Sequence, residues 1–169
     1  MATDHLKTAL VGLVDTLKGA TEISDILIDV FPFFAQFSQG YRIDSRQLTI
    51  QIEIGDSSEE QFLHNESTGT DFIPTQFILT CDTKLPSDDQ ILISDDGDSL
   101  LDLEYKVLRA LQSVNFWSTA SDLYGWTVTS ISRDVPVLDE SGAQDFDARR
   151  FVIELGVDII LDRDDGPAR

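Results

Sequence analysis

Between Phe151 and Leu161 the sequence reads FVIELGVDIIL, and it alternates. Phe151, Ile153, Leu155, Val157, Ile159 and Leu161 fall in one phase. Val152, Glu154, Gly156, Asp158 and Ile160 fall in the other. A period of two over eleven residues specifies a β-strand roughly twice the usual length. Such a strand needs a partner, so the chain must build a sheet.

The rest of the sequence supplies that sheet and two helices. Leu6, Leu10, Leu13, Val14 and Leu17 recur at helical spacing, with Thr3 or Asp4 as cap and Gly19 as stop. The segment DILIDVFP reads as a strand up to Phe31, and Pro32 marks an edge or an end. In LTIQIEI, Leu48, Ile50, Ile52 and Ile54 face the core, leaving Thr49, Gln51 and Glu53 to face water or another subunit. The polar stretch 56–72 reads as a long loop. IPTQFILTCDTKL resumes a strand with Phe77, Leu79 and Cys81 on one face, closing a hairpin.

A second helix follows in LLDLEYKVLRALQ, capped by Asp98 or Ser99, with Leu100, Leu103, Val107, Leu108 and Leu111 as its apolar stripe. Asp102 and Glu104 in its first turns suit the helix dipole. FWSTASDLYGW reads as an aromatic loop. WTVTSIS, the turn ESGAQDF and the long final strand make a second hairpin. The order helix, strand, hairpin, helix, hairpin predicts an α+β fold: an antiparallel-rich sheet with two helices packed on one face. A chain of 169 residues fits one domain, spanning 1–169, with a flexible tail over 162–169.

Charge restricts the partners. Thirty-one acids oppose 12 bases, for a net −19. Of these, 23 are Asp and 8 are Glu, against 8 Arg and 4 Lys. The acids are spread along the chain, as on a surface built for solubility in high salt, and not gathered in a tail. Asp in excess with so little Lys resembles the style of haloarchaeal proteins and of their viruses. Such a surface lacks the cations that bind nucleic acid by neutralising phosphate. No apolar run approaches the ~18 residues that span a membrane, and the N-terminal segment lacks a basic signal-peptide region. No membrane partner is expected.

The motifs of chemistry fail their tests. Setting Gly97 at the sixth position of a calcium loop puts Leu92 first and Leu103 twelfth, where acids are required. LDRDDG fails in the same way. One cysteine, Cys81, and two histidines, His5 and His64, cannot build a structural zinc site. No phosphate loop, nucleophile elbow or dinucleotide fingerprint is present. Cys81 lies in an apolar strand, the setting of a buried inert thiol. No enzyme activity, catalytic residue, metal or cofactor is expected.

The element order, with DVFPFF after the first helix, LLDLEYKVLRALQ as the second helix and a closing hairpin ending on a long strand, resembles the tail terminator (tail completion) proteins of long-tailed viruses. The resemblance covers nearly the whole chain and rests on order and length, since that family has no catalytic signature. It implies a hexameric ring in the virion, at the tail–neck junction, assembled in the host cytoplasm. The ring's partners would be the tail tube protein and the head–neck connector. DNA would pass through the lumen without specific binding. Six copies would carry about −114 formal charge (six times −19), which repels the passing genome.

Ring closure needs a heterologous surface. Candidates for it are the aromatic patch Phe33, Phe34, Phe37 and Tyr41 with its neighbours Arg42 and Arg46, and the pair Arg149 and Arg150 at the entrance of the last strand. Val152 and Ile160, in the second phase of that strand, would meet another sheet or a neighbouring subunit, and the strand's excess length would extend the sheet towards the ring partner. The aromatic patch could instead be a second wall of the core, and the arginines could serve local ion pairs. Other roles for the chain are a head–tail connector, a tail-tube component, or a small acidic halophilic binding module.

Overall fold

A computed structural model describes residues 5–32, 47–55, 63–65, 70–84, 99–112, 123–139 and 141–161. The elements in chain order are α1 (His5–Gly19), β1 (Leu27–Pro32), β2 (Leu48–Ile54), β3 (Leu63–Asn65), β4 (Thr70–Lys84), α2 (Leu100–Leu111), β5 (Leu123–Ser132) and β6 (Ala148–Leu161). They form one mixed sheet in the order β1-β2-β4-β6-β5, with β3 also paired to β4. Among the described strands only β1 and β2 run parallel; the other pairings are antiparallel. The class is α+β, as the element order predicts.

The long final strand finds its partner inside the chain. β6 has 14 residues, starts three residues earlier than its alternation suggests, and pairs along its whole length with β4, from Lys84↔Ala148 to Asp71↔Leu161. β4 has 15 residues. The excess length is therefore paired between two strands of one molecule. β5 covers the other edge of β6, which makes β6 a central strand.

The 56–72 stretch is not a plain loop, because it holds β3 and the first residues of β4. A proline inside a strand normally argues against a central position. Pro74 lies between the stretch of β4 paired by β3, ending at Phe72, and the stretch paired by β2, beginning near Gln76. That side of β4 asks no ladder donor of it. Likewise Leu123–Trp126, expected in an aromatic loop, belongs to β5.

One face of the sheet carries the core. Ile52, Leu79 and Ile153 line up across β2, β4 and β6, as do Ile50, Cys81 and Phe151, and all are buried. Leu13 and Leu17 of α1 and Leu103 and Val107 of α2 join them in a single cluster. Both helices touch β6 and each other, so they lie on the same face. α2 starts where Ser99 accepts from the Asp102 backbone N–H at 3.3 Å while the Asp102 carboxylate accepts from the Ser99 N–H at 3.1 Å. This reciprocal box satisfies two of the four free donors of the helix end. After α1, a turn tucks Ile23 into the core and hands the chain to β1 through a Leu27 N–H bond to the Ile23 carbonyl at 2.8 Å.

The opposite face differs from expectation. Thr49, Gln51 and Asp82 project away from the helices, yet all three are fully buried. Ile54, expected in the core, is exposed at the end of β2. Val152, Glu154, Gly156 and Asp158 are half-buried on this face. Gly156 has a packing reason. A Cβ there would approach the Thr129 methyl to 3.0 Å, because Thr129 leans across from a register shift in β5 and donates its hydroxyl to the Glu154 carbonyl.

Candidate interaction surface

Two ion pairs brace the end of the sheet where β4 and β5 finish and β6 begins. On the face away from the helices, Arg150 donates through Nε and Nη2 to both carboxylate oxygens of Asp82, at 2.6 and 2.9 Å. Burial pushes the Asp82 carboxyl above its ordinary range, and Arg150 pulls part of that shift back. The carboxylate in turn raises Arg150. On the helix face, Arg133 makes the same fork to Glu104 of α2, at 2.8 and 2.7 Å. Glu104 is buried while Arg133 stands half in water. This fork ties α2 to the end of β5. Both carboxylates are neutralised in bidentate geometry, so neither is presented as an open acid or base.

Beyond these pairs, the connection from β5 to β6 folds into a braced ribbon. Asp134 turns the chain with a left-handed φ of 51°, which a short polar side chain tolerates. Val135 donates to the Arg150 carbonyl at 2.9 Å, Asp145 to Val137 at 2.8 Å and Asp139 to Ala143 at 2.8 Å. Leu138 and Gln144 form a bridge. At the tip, the Asp139 carboxylate accepts from the backbone N–H groups of Ser141 and Ala143 and from the Ser141 hydroxyl. Those donors, the hydroxyl first, hold its carboxyl below the ordinary range. Gly142 supplies the φ of +83° that the turn requires.

Lys84 at the end of β4 reaches Asp145 at 3.6 Å. Arg149 donates to the Phe146 carbonyl at 2.5 Å and approaches Asp134 at 3.9 Å. The ribbon is two-sided. Val137 is buried beneath it, while Leu138 and Phe146 are 64% and 68% exposed.

Among the residues singled out from sequence, Arg149 and Arg150 project to opposite sides of β6 and both are engaged within the chain. Val152 sits half-buried between Thr80 of β4 and Ser132 of β5. Ile160 pairs through its backbone with Phe72; its side chain lies outside the described residues. Phe33, Phe34, Phe37, Tyr41, Arg42 and Arg46 also lie outside them, as do Thr3, Asp4 and the tail 162–169. Sequence reasoning missed Asp82, which hides among 31 acids in the polar phase of a strand. It also missed Leu138 and Phe146, which belong to no periodic pattern.

Cys81 is buried in the core, and burial pushes its thiol far above the ordinary range. Among the described residues, no group of three His, Cys, Asp or Glu side chains could hold a metal ion. No helix there is long and apolar enough to cross a membrane. Neither a family model nor a curated protein matches the chain.

Proposed function

We propose that this chain is a structural protein of a tailed virion, a tail terminator whose copies close into a ring. The ring ends the tail tube, joins it to the head–neck connector, and lets DNA pass through an acidic lumen. The observation that supports the reading is the order and layering of the fold: helix, strand, hairpin, helix, hairpin, with both helices on one face of the sheet. That is the arrangement the resemblance in sequence implies. The dispersed net charge of −19 fits a conduit that must not bind the DNA it carries.

The test is mass in solution by light scattering, in multi-molar potassium chloride and in dilute salt. The expected result is a closed oligomer of about 113 kDa (six times 18.8 kDa) in high salt that dissociates on dilution of the salt. An open polymer growing with protein concentration would make the chain a tube component. A monomer under both conditions would favour the acidic binding module.

A further inference from the structure

We infer that the side of the sheet away from the helices binds an integral water molecule, held by the side chain of Gln51 between β2 and β4. This site is independent of the ring reading. Among the described residues, two buried side-chain oxygens have no hydrogen-bond partner, Gln51 Oε1 and Thr83 Oγ1. The threonine hydroxyl can turn and can either donate or accept, so it specifies no ligand. The glutamine oxygen only accepts. A buried acceptor without a donor is costly, and folded proteins satisfy such groups with protein or with ordered water. The ligand of Gln51 Oε1 is therefore a donor or a cation.

The amide does not escape by turning over. Its Nε2 donates to Glu53 Oε1 at 2.6 Å, and the opposite orientation would set two acceptors at that distance. Gln51 is fully buried at the centre of β2. Its neighbours on this face supply the rest of a water's shell. Thr80 opposes it from β4, and directly opposed residues of an antiparallel pair have Cβ atoms about 4.5–5.5 Å apart. Thr49 and Glu53 flank it along the same face of β2, and Phe31 opposes it from β1. Hydroxyls, a carboxylate and the amide oxygen on three sides, with an aromatic wall on the fourth, offer the polar partners, about three, that a buried water takes.

Charge decides between water and a cation. Arg150, raised first by its hydrogen bond to Asp82, is also raised by the Glu53 carboxylate. A guanidinium within reach of Glu53 would repel a cation placed beside it. A neutral donor meets no such repulsion, and water can give one hydrogen to Gln51 and the other to a neighbouring acceptor. Glu53 is only half-buried, so the site has a polar route to solvent.

The experiment counts long-lived waters by oxygen-17 magnetic relaxation dispersion, on the full chain in molar potassium chloride, for wild type and for Gln51→Met. Circular dichroism checks folding. Methionine keeps the length of the side chain and removes the acceptor, so the variant should lose one long-lived water. In the wild type, the Gln51 side-chain amide protons should show a nuclear Overhauser effect to water with the sign of a slowly tumbling complex. An unchanged count in a folded Gln51→Met would overturn the site. So would a wild type without that effect, which decides the matter if the variant does not fold. The cation alternative is tested by thermal denaturation of both proteins in potassium chloride and in tetramethylammonium chloride at equal ionic strength. The gap between their midpoints should be the same in both salts. A gap that vanishes without potassium would put an alkali cation at Gln51 and overturn the water.

Discussion

Arg150 offers the sharpest test of how the sheet is held together. Its partner Asp82 has a fully buried side chain, whereas Arg150 itself remains 22% exposed. Arg150→Met keeps the apolar stem and removes the fork, leaving a carboxylate in a dry site. Removing one member of a buried pair costs about 3–5 kcal/mol. The partial exposure of Arg150 argues for the lower end, about 3 kcal/mol, or roughly 6–12 °C in melting temperature for a chain this size.

The cost should depend on pH. In the folded protein the Asp82 carboxyl lies above its ordinary 3.8, so the native state binds more protons than the unfolded state just above that value. Stability from this group is therefore greatest when it is protonated, and falls as pH rises through its folded value. Without Arg150 that value moves further up, so the variant regains stability on acidification. Denaturation in high salt at about pH 7.5 and again near pH 4.5, followed by circular dichroism, should give a smaller difference from wild type at the lower pH. A loss below about 1 kcal/mol, or one equal at both pH values, would refute the account of Asp82 as a desolvated carboxylate that depends on Arg150.

Two further expectations concern single side chains. Ser99→Ala removes the acceptor for the Asp102 N–H and should cost about 1 kcal/mol in chemical denaturation; Ser99→Asp, which keeps an acceptor, should recover most of it. Cys81 should resist a thiol-specific reagent in the native protein and react at once in denaturant, since it is buried and its thiolate is disfavoured; rapid native labelling would place it elsewhere than the core.

What the sequence made legible is what period and capping encode. The stripes of α1 and α2, the Ser99 cap, and the inward phase of β2, β4 and β6 all follow from residue spacing; the buried residues match them except at Ile54, which is exposed, and at Leu6, Leu10 and Leu108, which are partly buried. Local pattern does not encode sheet order. Nothing in FVIELGVDIIL says that its neighbours are β4 and β5, so its length suggested an outside partner. Thr49 and Gln51 misled for a related reason. Alternation assigns a residue to a face, but only the tertiary structure decides whether that face is dry. The ribbon surface was illegible because Leu138 and Phe146 are apolar residues set among turn residues, where their exposure depends on Val137 turning inward.

β6 also sets the order in which the sheet can be completed. It is the last of the described strands, yet it fits between two strands made before it. Until it emerges, β4 offers a bare fifteen-residue edge with Phe77, Leu79 and Cys81 beside it, and β5 has no neighbour. Translation from Lys84 to Ala148 takes roughly 3–13 s at 5–20 residues per second. Over that interval the nascent chain carries an open template for strand addition. Its dispersed carboxylates then act as a kinetic safeguard, keeping neighbouring nascent chains apart before the intramolecular partner arrives.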